Sequence, residues 1–128
     1  DPRGSGTALS AFFLEPADRA LSARLYRAHR DLGLRTLFGF GALREYPPDR
    51  SGLGDIDSGP VVFGVGVSPT GFGLGGARLH DDRATYRQLF RTSWLFGVPV
   101  TTGHGRPYAT GGTLGNAILL AMLTAGEL

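Results

Sequence analysis

Asp55 and Asp57 are the acidic residues whose types and spacing best suit acid–base chemistry. They stand two positions apart in a segment of glycine, serine and proline. Hydrolysis of a glycosidic bond needs one carboxyl group as the acid and a second as the base or nucleophile. Two residues of extended chain reach about 7 Å, so the pair can span such a site, or either aspartate can act with an acid elsewhere. The alternative for Asp57 is that it caps a following helix together with Ser58, and for Asp55 that it is solvated.

A second group of candidate residues lies in a glycine-rich segment nearer the C-terminal part of the chain. His104 is flanked by glycines, and Arg106 and Tyr108 follow it at two-residue spacing. Imidazole, guanidinium and phenol groups in such a segment can orient a bound ligand through hydrogen bonds. The alternative is an exposed loop without a role. Glu45 precedes the two aspartates in their connection and is a further candidate for ligand binding, with a salt bridge to arginine as its alternative.

The composition excludes several classes of function. The 128-residue chain has no cysteine, which rules out disulfides, thiolate nucleophiles and thiolate metal sites. All 13 basic residues are arginine, 11 acidic residues offset them, and the net charge of +2 is too small to favour nucleic acid. We therefore predict no metal, no cofactor and no nucleic-acid partner.

Helical periodicity predicts elements that would position these residues. Amphipathic helical segments alternate along the chain with apolar ones, which suggests outer helices that face solvent and inner helices that are buried. We expect outer helices at 16–33 and 83–97, and buried helices at 61–79 and 113–125, the last capped by Thr113. The apolar segment Thr7–Leu14 looks like the end of an element that begins upstream.

The pattern in Val61–Leu79 fits two secondary structures. Valine and phenylalanine alternate with small residues in its first half, which is typical of a strand. Gly71 and Gly75 stand four apart, which suits close contact between helices, and Pro69 would kink a helix. Because the neighbouring elements are helical, we predict one buried, kinked helix.

Two uncharged stretches are long enough to be tested as membrane spans. Gly59–Ala77 and Pro107–Gly126 are both poor in bulky apolar residues and rich in glycine, serine and threonine. A helix buried inside a domain gives the same pattern. We therefore do not expect membrane insertion.

The order of the predicted elements brings the candidate residues together. A tight turn at 80–82 makes the helices on either side of it antiparallel neighbours, and Asp82 suits the N-cap of the second helix. The two long connections, 34–58 and 98–112, each lead from the end of an outer helix to the start of an inner one. Both must then lie at the same end of the helix array. We expect one concave surface there, lined by Asp55, Asp57, His104 and Tyr108, with Arg106 at its rim.

The arrangement resembles the α/α toroid, the six-hairpin architecture of many glycosidases. Three segments carry the resemblance, which covers residues 16–126: Gly54-Asp55-Ile56-Asp57-Ser58-Gly59-Pro60, Leu95-Phe96-Gly97-Val98-Pro99, and Gly115-Asn116-Ala117-Ile118-Leu119-Leu120. A ring of six hairpins is much longer than this chain. The resemblance therefore implies that the chain is the last two or three hairpins of a longer protein.

We therefore expect an all-α fold of antiparallel helical hairpins that forms one unit over residues 1–128. The expected function is part of a carbohydrate-active, glycosidase-like hydrolase or lyase, or of a related small-molecule enzyme. In that function Asp57 and Asp55 are catalytic, while His104, Tyr108, Arg106 and Glu45 bind a glycan or small molecule. The alternative is a non-catalytic helical module that binds a glycan or a partner, or a soluble domain of a membrane-associated protein. A partial ring would also associate with itself or with the rest of its parent chain, because it leaves apolar surface uncovered.

Overall fold

The computed structural model describes residues 3–50 and 61–126, so Asp55 and Asp57 lie outside the described residues. Helices and short strands alternate along these two ranges. The helices are α1 (Gly4–Leu14), α2 (Arg19–Gly33), α3 (Val67–Leu79), α4 (Arg83–Gly97) and α5 (Gly112–Thr124). The strands are β1 (Leu34–Leu37), β2 (Phe40–Leu43), β3 (Val61–Val62) and β4 (Val65–Gly66).

The prediction of an all-α fold is wrong. Helices hold 59% of the structure and strands 15%, in two small antiparallel sheets of two strands each. Each sheet is a hairpin that turns on a Phe-Gly pair. The φ angles are 49° at Phe38 and 82° at Gly39, and 52° at Phe63 and 78° at Gly64. Positive φ at both central residues is the geometry of a tight two-residue hairpin, which usually carries asparagine or aspartate where this chain has phenylalanine.

The prediction of one helix over Val61–Leu79 is wrong for residues 61–66, which form a strand hairpin, and correct for the residues after them. The alternating valines form the β3–β4 hairpin, in which Val61 pairs with Gly66 and Val62 with Val65. The helix begins only at Val67, so Pro69 lies in its first turn, where it leaves no broken hydrogen bond.

Two aspartates begin the outer helices. The carboxylate of Asp18 accepts a hydrogen bond from the Leu21 N–H at 2.9 Å, and the carboxylate of Asp82 accepts one from the Thr85 N–H at 3.1 Å. Asp82 was expected to be the N-cap of the helix over 83–97, and both the cap and the helix are confirmed. N-cap aspartates satisfy backbone N–H groups that the first turn leaves without a partner.

Helices α1, α3 and α5 run parallel in an inner layer. The N–H of Gly4, which begins α1, donates to the Glu45 carbonyl at 2.8 Å, and Gly66, just before α3, packs against the Glu45 side chain. At the other end, the Arg78 guanidinium of α3 donates to the carbonyl of Ala125, just after α5. We call the end at which α1, α3 and α5 begin the helix-start end.

Helices α2 and α4 form an outer layer that runs in the opposite direction. Ser22, early in α2, donates to the carbonyl of Ala11, late in α1, at 2.6 Å. The turn between α3 and α4 lies at the end opposite the helix-start end. One buried side chain from each of four elements forms the main core: Leu43 of β2, Leu74 of α3, Leu89 of α4 and Met122 of α5.

The expectation that α5 is buried on most of its circumference is wrong. Met122 is its one buried residue, while Leu114 is 74% exposed and Leu120 is 64% exposed. Thr113 does not cap it either: the helix begins after Gly111 without a side-chain cap. Helix α5 packs against α3 along one side, and the other faces of α5 contact solvent.

Among the described residues, none of the helices combines the length and the hydropathy needed to cross a lipid bilayer.

Candidate functional site

The segment between α4 and α5 is an irregular hairpin that presents His104. The Val100 N–H donates to the Pro107 carbonyl at 2.9 Å, and the Thr102 N–H donates to the Gly105 carbonyl at 2.8 Å. His104 lies at the tip of this hairpin and is exposed. We call residues 98–111 the site hairpin.

Asn116 of α5 fixes the base of the site hairpin. Its Oδ1 accepts the Tyr108 N–H at 2.6 Å, while its Nδ2 donates to the Tyr108 carbonyl at 2.9 Å and to the Gly112 carbonyl at 2.6 Å. The amide thus bonds to the Tyr108 backbone as a neighbouring strand would. This contact orients the hairpin over the start of α5.

The ring of Tyr108 is buried because the end of α4 leaves room for it. A side chain at Gly97 would collide with this ring, and Trp94 makes an edge contact with it at 6.3 Å between ring centroids. Burial raises the pKa of the Tyr108 phenol, the nearby Tyr86 raises it further, and Arg106 opposes both. The Tyr108 phenol is therefore neutral at physiological pH.

Arg106 lies at the exposed rim of the site hairpin. Its guanidinium sits over the Trp94 ring at 5.5 Å from the centroid, a cation–π contact. The contact holds the charge beside a half-exposed aromatic face. Such a pair of groups can bind a sugar ring or an anionic group.

Glu45 lies at the helix-start end but is only 1% exposed. Its carboxylate accepts a hydrogen bond from the Ser5 hydroxyl at 2.8 Å and one from the Ser5 N–H at 3.3 Å. A carboxylate is stabilised in this position because the N-terminal end of a helix carries partial positive charge. Among the described residues the partner of Glu45 is Ser5, not an arginine, and the contact joins α1 to the chain after β2.

The predicted site residues are brought together in part. His104, Arg106 and Tyr108 share the site hairpin, and Glu45 lies at the same end of the inner layer. Asp55 and Asp57 lie outside the described residues. Of the residues on either side of them, Glu45 donates its N–H to the Gly64 carbonyl at 3.4 Å at this end. Sequence reasoning missed Trp94, Asn116 and Ser5 as supports of the site. The spacing of Asn116 from Tyr108 gave no signal, because the amide contacts only backbone.

Ser22 and His80 form a hydrogen-bonded pair that looks like a nucleophile with its base. The distance from Ser22 Oγ to His80 Nε2 is 2.9 Å. However, the Ser22 hydroxyl donates its one hydrogen to the Ala11 carbonyl, so Nε2 must be the donor to Oγ. Ser22 is also fully buried. The pair therefore joins α1, α2 and the end of α3 and cannot activate a nucleophile.

Among the residues that the structure describes, no three histidine, aspartate or glutamate side chains come close enough to hold a metal ion. In comparisons with known proteins, no family model matches the chain and no curated protein shows significant similarity to it. The case for a function therefore depends on the geometry of the helix-start end.

Proposed function

We propose that the helix-start end carries an acid–base site that acts on a glycan or a related small molecule, as a glycosidase-like hydrolase or lyase does. Asp57 is the general acid or base, and Asp55 is its partner. His104, Tyr108 and Arg106 bind and orient the ligand.

The parallel inner layer is the observation that carries this proposal. Gly75 of α3 faces Met122 of α5, and Arg78 of α3 contacts Ala125 just after α5, so α3 and α5 begin and end together. The site hairpin leads into α5, and the connection with the two aspartates leads towards α3. The parallel direction of α3 and α5 supports the proposal, because the segments that lead into the two helices then approach the same end of the molecule.

The electrostatics of this end favour acidic groups and anionic ligands. Three helices begin here, and the N-terminal end of each carries partial positive charge. Glu45 at the start of α1 shows that the chain uses this field to hold a carboxylate. A carboxylate at the entrance to α3 would experience the same field.

In a glycoside hydrolase of this kind, one carboxylic acid gives its proton to the glycosidic oxygen as the bond to the anomeric carbon breaks. The second carboxylate takes a proton from the water whose oxygen bonds to that carbon, or bonds to the carbon itself before water releases it. Asp57 and Asp55 supply these two groups. The exposed imidazole of His104 and the guanidinium of Arg106 are free to contact sugar hydroxyls or a uronic acid.

Turnover of chromogenic aryl glycosides and of soluble polysaccharides by the purified chain tests the proposal. Asp57→Asn should lower turnover by ~10²-fold or more, the usual scale for loss of a proton-transfer group. Asp49→Asn is the matched control, because Asp49 is an exposed acid of the same connection. His104→Ala should raise KM more than it lowers kcat. Full activity of the Asp57→Asn variant would contradict the assignment of the site.

A non-catalytic binding module is the second candidate function. It is favoured by Glu45, whose buried carboxylate is already occupied by Ser5 and so contributes no free acid to the site. In that case His104→Ala would weaken binding of an oligosaccharide in calorimetry, whereas Asp57→Asn would leave both binding and fold unchanged. Binding of an oligosaccharide without turnover by the unsubstituted chain would support this function.

A further inference from the structure

The β1–β2 hairpin and the C-terminal half of α4 form one surface that shares only Trp94 with the proposed site. We call it the apolar–basic face. Five apolar side chains on it are at least 38% exposed: Phe38 91%, Leu37 68%, Leu95 55%, Trp94 40% and Phe40 38%. Arg91 supplies its central charge.

Hydrogen bonds hold the hairpin against α4. The Gly41 N–H donates to Thr92 Oγ1 at 3.1 Å, and the Arg91 guanidinium donates to the Gly39 carbonyl at 3.3 Å. Leu37 and Phe40 are cross-strand partners, so their side chains share one face of the hairpin. A shallow cavity of about 450 Å³ lies between hairpin and helix, lined by Phe40, Phe90, Arg91, Trp94 and Leu95. The exposed apolar groups are therefore positioned on a firm support.

The charge on the surrounding elements has one sign. The hairpin residues 34–43, helix α4 and the site hairpin contain five arginines and no aspartate or glutamate: Arg35, Arg83, Arg87, Arg91 and Arg106. The acids nearest to α4 in the chain are Asp81 and Asp82, which precede its first residue at the end away from this face, and Asp82 is paired with Arg30. A partner for this face must therefore accept apolar groups and offer negative charge.

The tip of the hairpin adds a second argument. Phe38 occupies a left-handed backbone conformation that a bulky residue rarely adopts, and its ring makes the tip apolar. Asparagine would suit the turn better and would make the tip polar. An exposed aromatic side chain held at a protruding turn can enter the boundary between lipid headgroups and acyl chains.

We propose that the apolar–basic face docks on the surface of a lipid bilayer that contains anionic lipids. Phe38, Leu37 and Leu95 enter the interface, the Trp94 ring lies at the level of the headgroups, and Arg91 pairs with lipid phosphates. Tryptophan and arginine are residues that suit this boundary, because each combines an apolar body with a polar or charged end. Basic residues near an anionic surface add to the binding. The inference does not depend on the proposed acid–base site.

Trp94 is the one tryptophan of the chain, so its fluorescence reports directly on this face. The purified chain is titrated with vesicles of phosphatidylcholine alone and with vesicles that also contain phosphatidylglycerol. We expect a blue shift of the emission and sedimentation with the anionic vesicles, both weakened by added salt. No binding to either vesicle, or equal binding to both, would overturn the proposal.

Three variants locate the contact. Phe38→Asn should improve the turn and weaken binding to the anionic vesicles about tenfold, because one interfacial aromatic group is lost. Phe63→Asn is the matched control: it makes the same change at the other Phe-Gly turn, where Phe63 is 99% exposed, and should leave binding unchanged. Arg91→Gln should reduce the preference for anionic over neutral vesicles.

Equal loss of binding in Phe38→Asn and Phe63→Asn would overturn the assignment to this face. A protein dimer in solution that Phe38→Asn converts to monomer would also overturn it, because the face would then be covered by a second copy. Loss of binding in Phe38→Asn alone, with unchanged circular dichroism, supports the proposal.

Discussion

The Asp82 carboxylate joins α2 to the start of α4 through several hydrogen bonds. It accepts from the Tyr26 hydroxyl at 2.9 Å, from the Arg30 guanidinium at 2.9 Å, and from the N–H and hydroxyl of Thr85. Burial alone would raise the pKa of Asp82, but these donors outweigh it and hold it at about 2. Because this value lies below the unfolded value of about 3.9, the contribution to stability is complete above pH ~4 and is lost as the pH falls towards 2.

Replacement of Asp82 should therefore cost more than replacement of an ordinary N-cap. Asp82→Ala removes the cap and leaves Tyr26 and Arg30 without their acceptor, so we expect a loss of roughly 2–3 kcal/mol in the free energy of unfolding. Asp18→Ala is the control, because Asp18 is an exposed cap of α2, and it should cost about 1 kcal/mol. Urea denaturation of both variants measures the difference. Equal losses would mean that the bonds from α2 contribute nothing.

His29 should make stability depend on pH near neutrality. Burial lowers the pKa of His29, although a hydrogen bond with the Arg44 backbone acts against this, and Nε2 has no hydrogen-bond partner among the described residues. The unfolded chain then binds a proton more readily than the folded one. Stability should therefore fall as the pH drops below about 6.5, the ordinary histidine value.

Thermal unfolding at pH 7 and pH 5 tests this expectation. His29→Leu should reduce the loss of Tm at pH 5, whereas His104→Gln, a change at an exposed histidine, should not. Some dependence on pH should persist, because burial also lowers the pKa of His80. An unchanged loss in His29→Leu would contradict the role of this imidazole.

At this scale the sequence indicated which residues begin helices but not what else they contact. Aspartate before a helical pattern identified Asp82 as a cap because capping is local. The bonds from Tyr26 and Arg30 join residues more than 50 positions apart, and no local pattern encodes them. The same limit applies to the site: His104, Arg106 and Tyr108 could be selected by residue type. Asn116 could not, because it bonds only to backbone groups, and neither could Ser5, whose partner Glu45 lies 40 positions away.

Among the elements, the helices with strong amphipathic patterns were predictable and the hairpins were not. Helix α4 ends as predicted at Gly97, but the left-handed residue after it is Val98, with φ of 52°. Gly97 is needed instead because the Tyr108 ring packs on it. The β-hairpins were missed because phenylalanine precedes glycine at both turns, where the usual hairpin signal is asparagine or aspartate.

The glycines of α3 differ in what surrounds them, and this gives a test of the inner layer. A Cβ atom at Gly75 would lie 2.5 Å from Met122 Sδ and 2.8 Å from the Phe12 ring, whereas one at Gly71 would have nothing within 4 Å. Gly75→Ala should destabilise the fold by about 1–2 kcal/mol, since overpacking exceeds the gain in helix propensity.

Gly71→Ala is the control for helix propensity and should stabilise the fold by up to about 1 kcal/mol. If α3 lies between α1 and α5, chemical denaturation should show that the two substitutions change the free energy of unfolding in opposite directions. Stabilisation by both substitutions would mean that the three helices are not in contact at Gly75.

For the whole molecule, the order of outer and inner segments predicted that both long connections lie at one end, and α3 and α5 run in the same direction. What failed at this scale was the prediction that the apolar helices are buried. Phe13 of α1 is 67% exposed, and α5 exposes Leu114 and Leu120. The sequence of an apolar helix does not show whether the surface that covers it belongs to the same chain or to another.

The exposed face of α5 should make the chain self-associate at high concentration. Leu114→Gln with Leu120→Gln should lower the weight-average mass in sedimentation velocity without loss of helix content. Phe38→Asn should leave this association unchanged, because the β1–β2 hairpin is a different surface. A monomer at every concentration for the parent chain would contradict the expectation.

Helix α3 combines the most central position with a weak helical sequence. Four of its 13 residues are glycine, and it contacts α1, α4, α5 and both hairpins. Glycine disfavours an isolated helix, so α3 has little reason to persist once its neighbours separate. Its amide hydrogens should exchange with solvent only when the whole domain unfolds, whereas those of α5 should exchange through local fraying. The segment with the least tendency to be helical alone would then be the slowest to exchange, and a single cooperative transition would follow from its dependence on every neighbour.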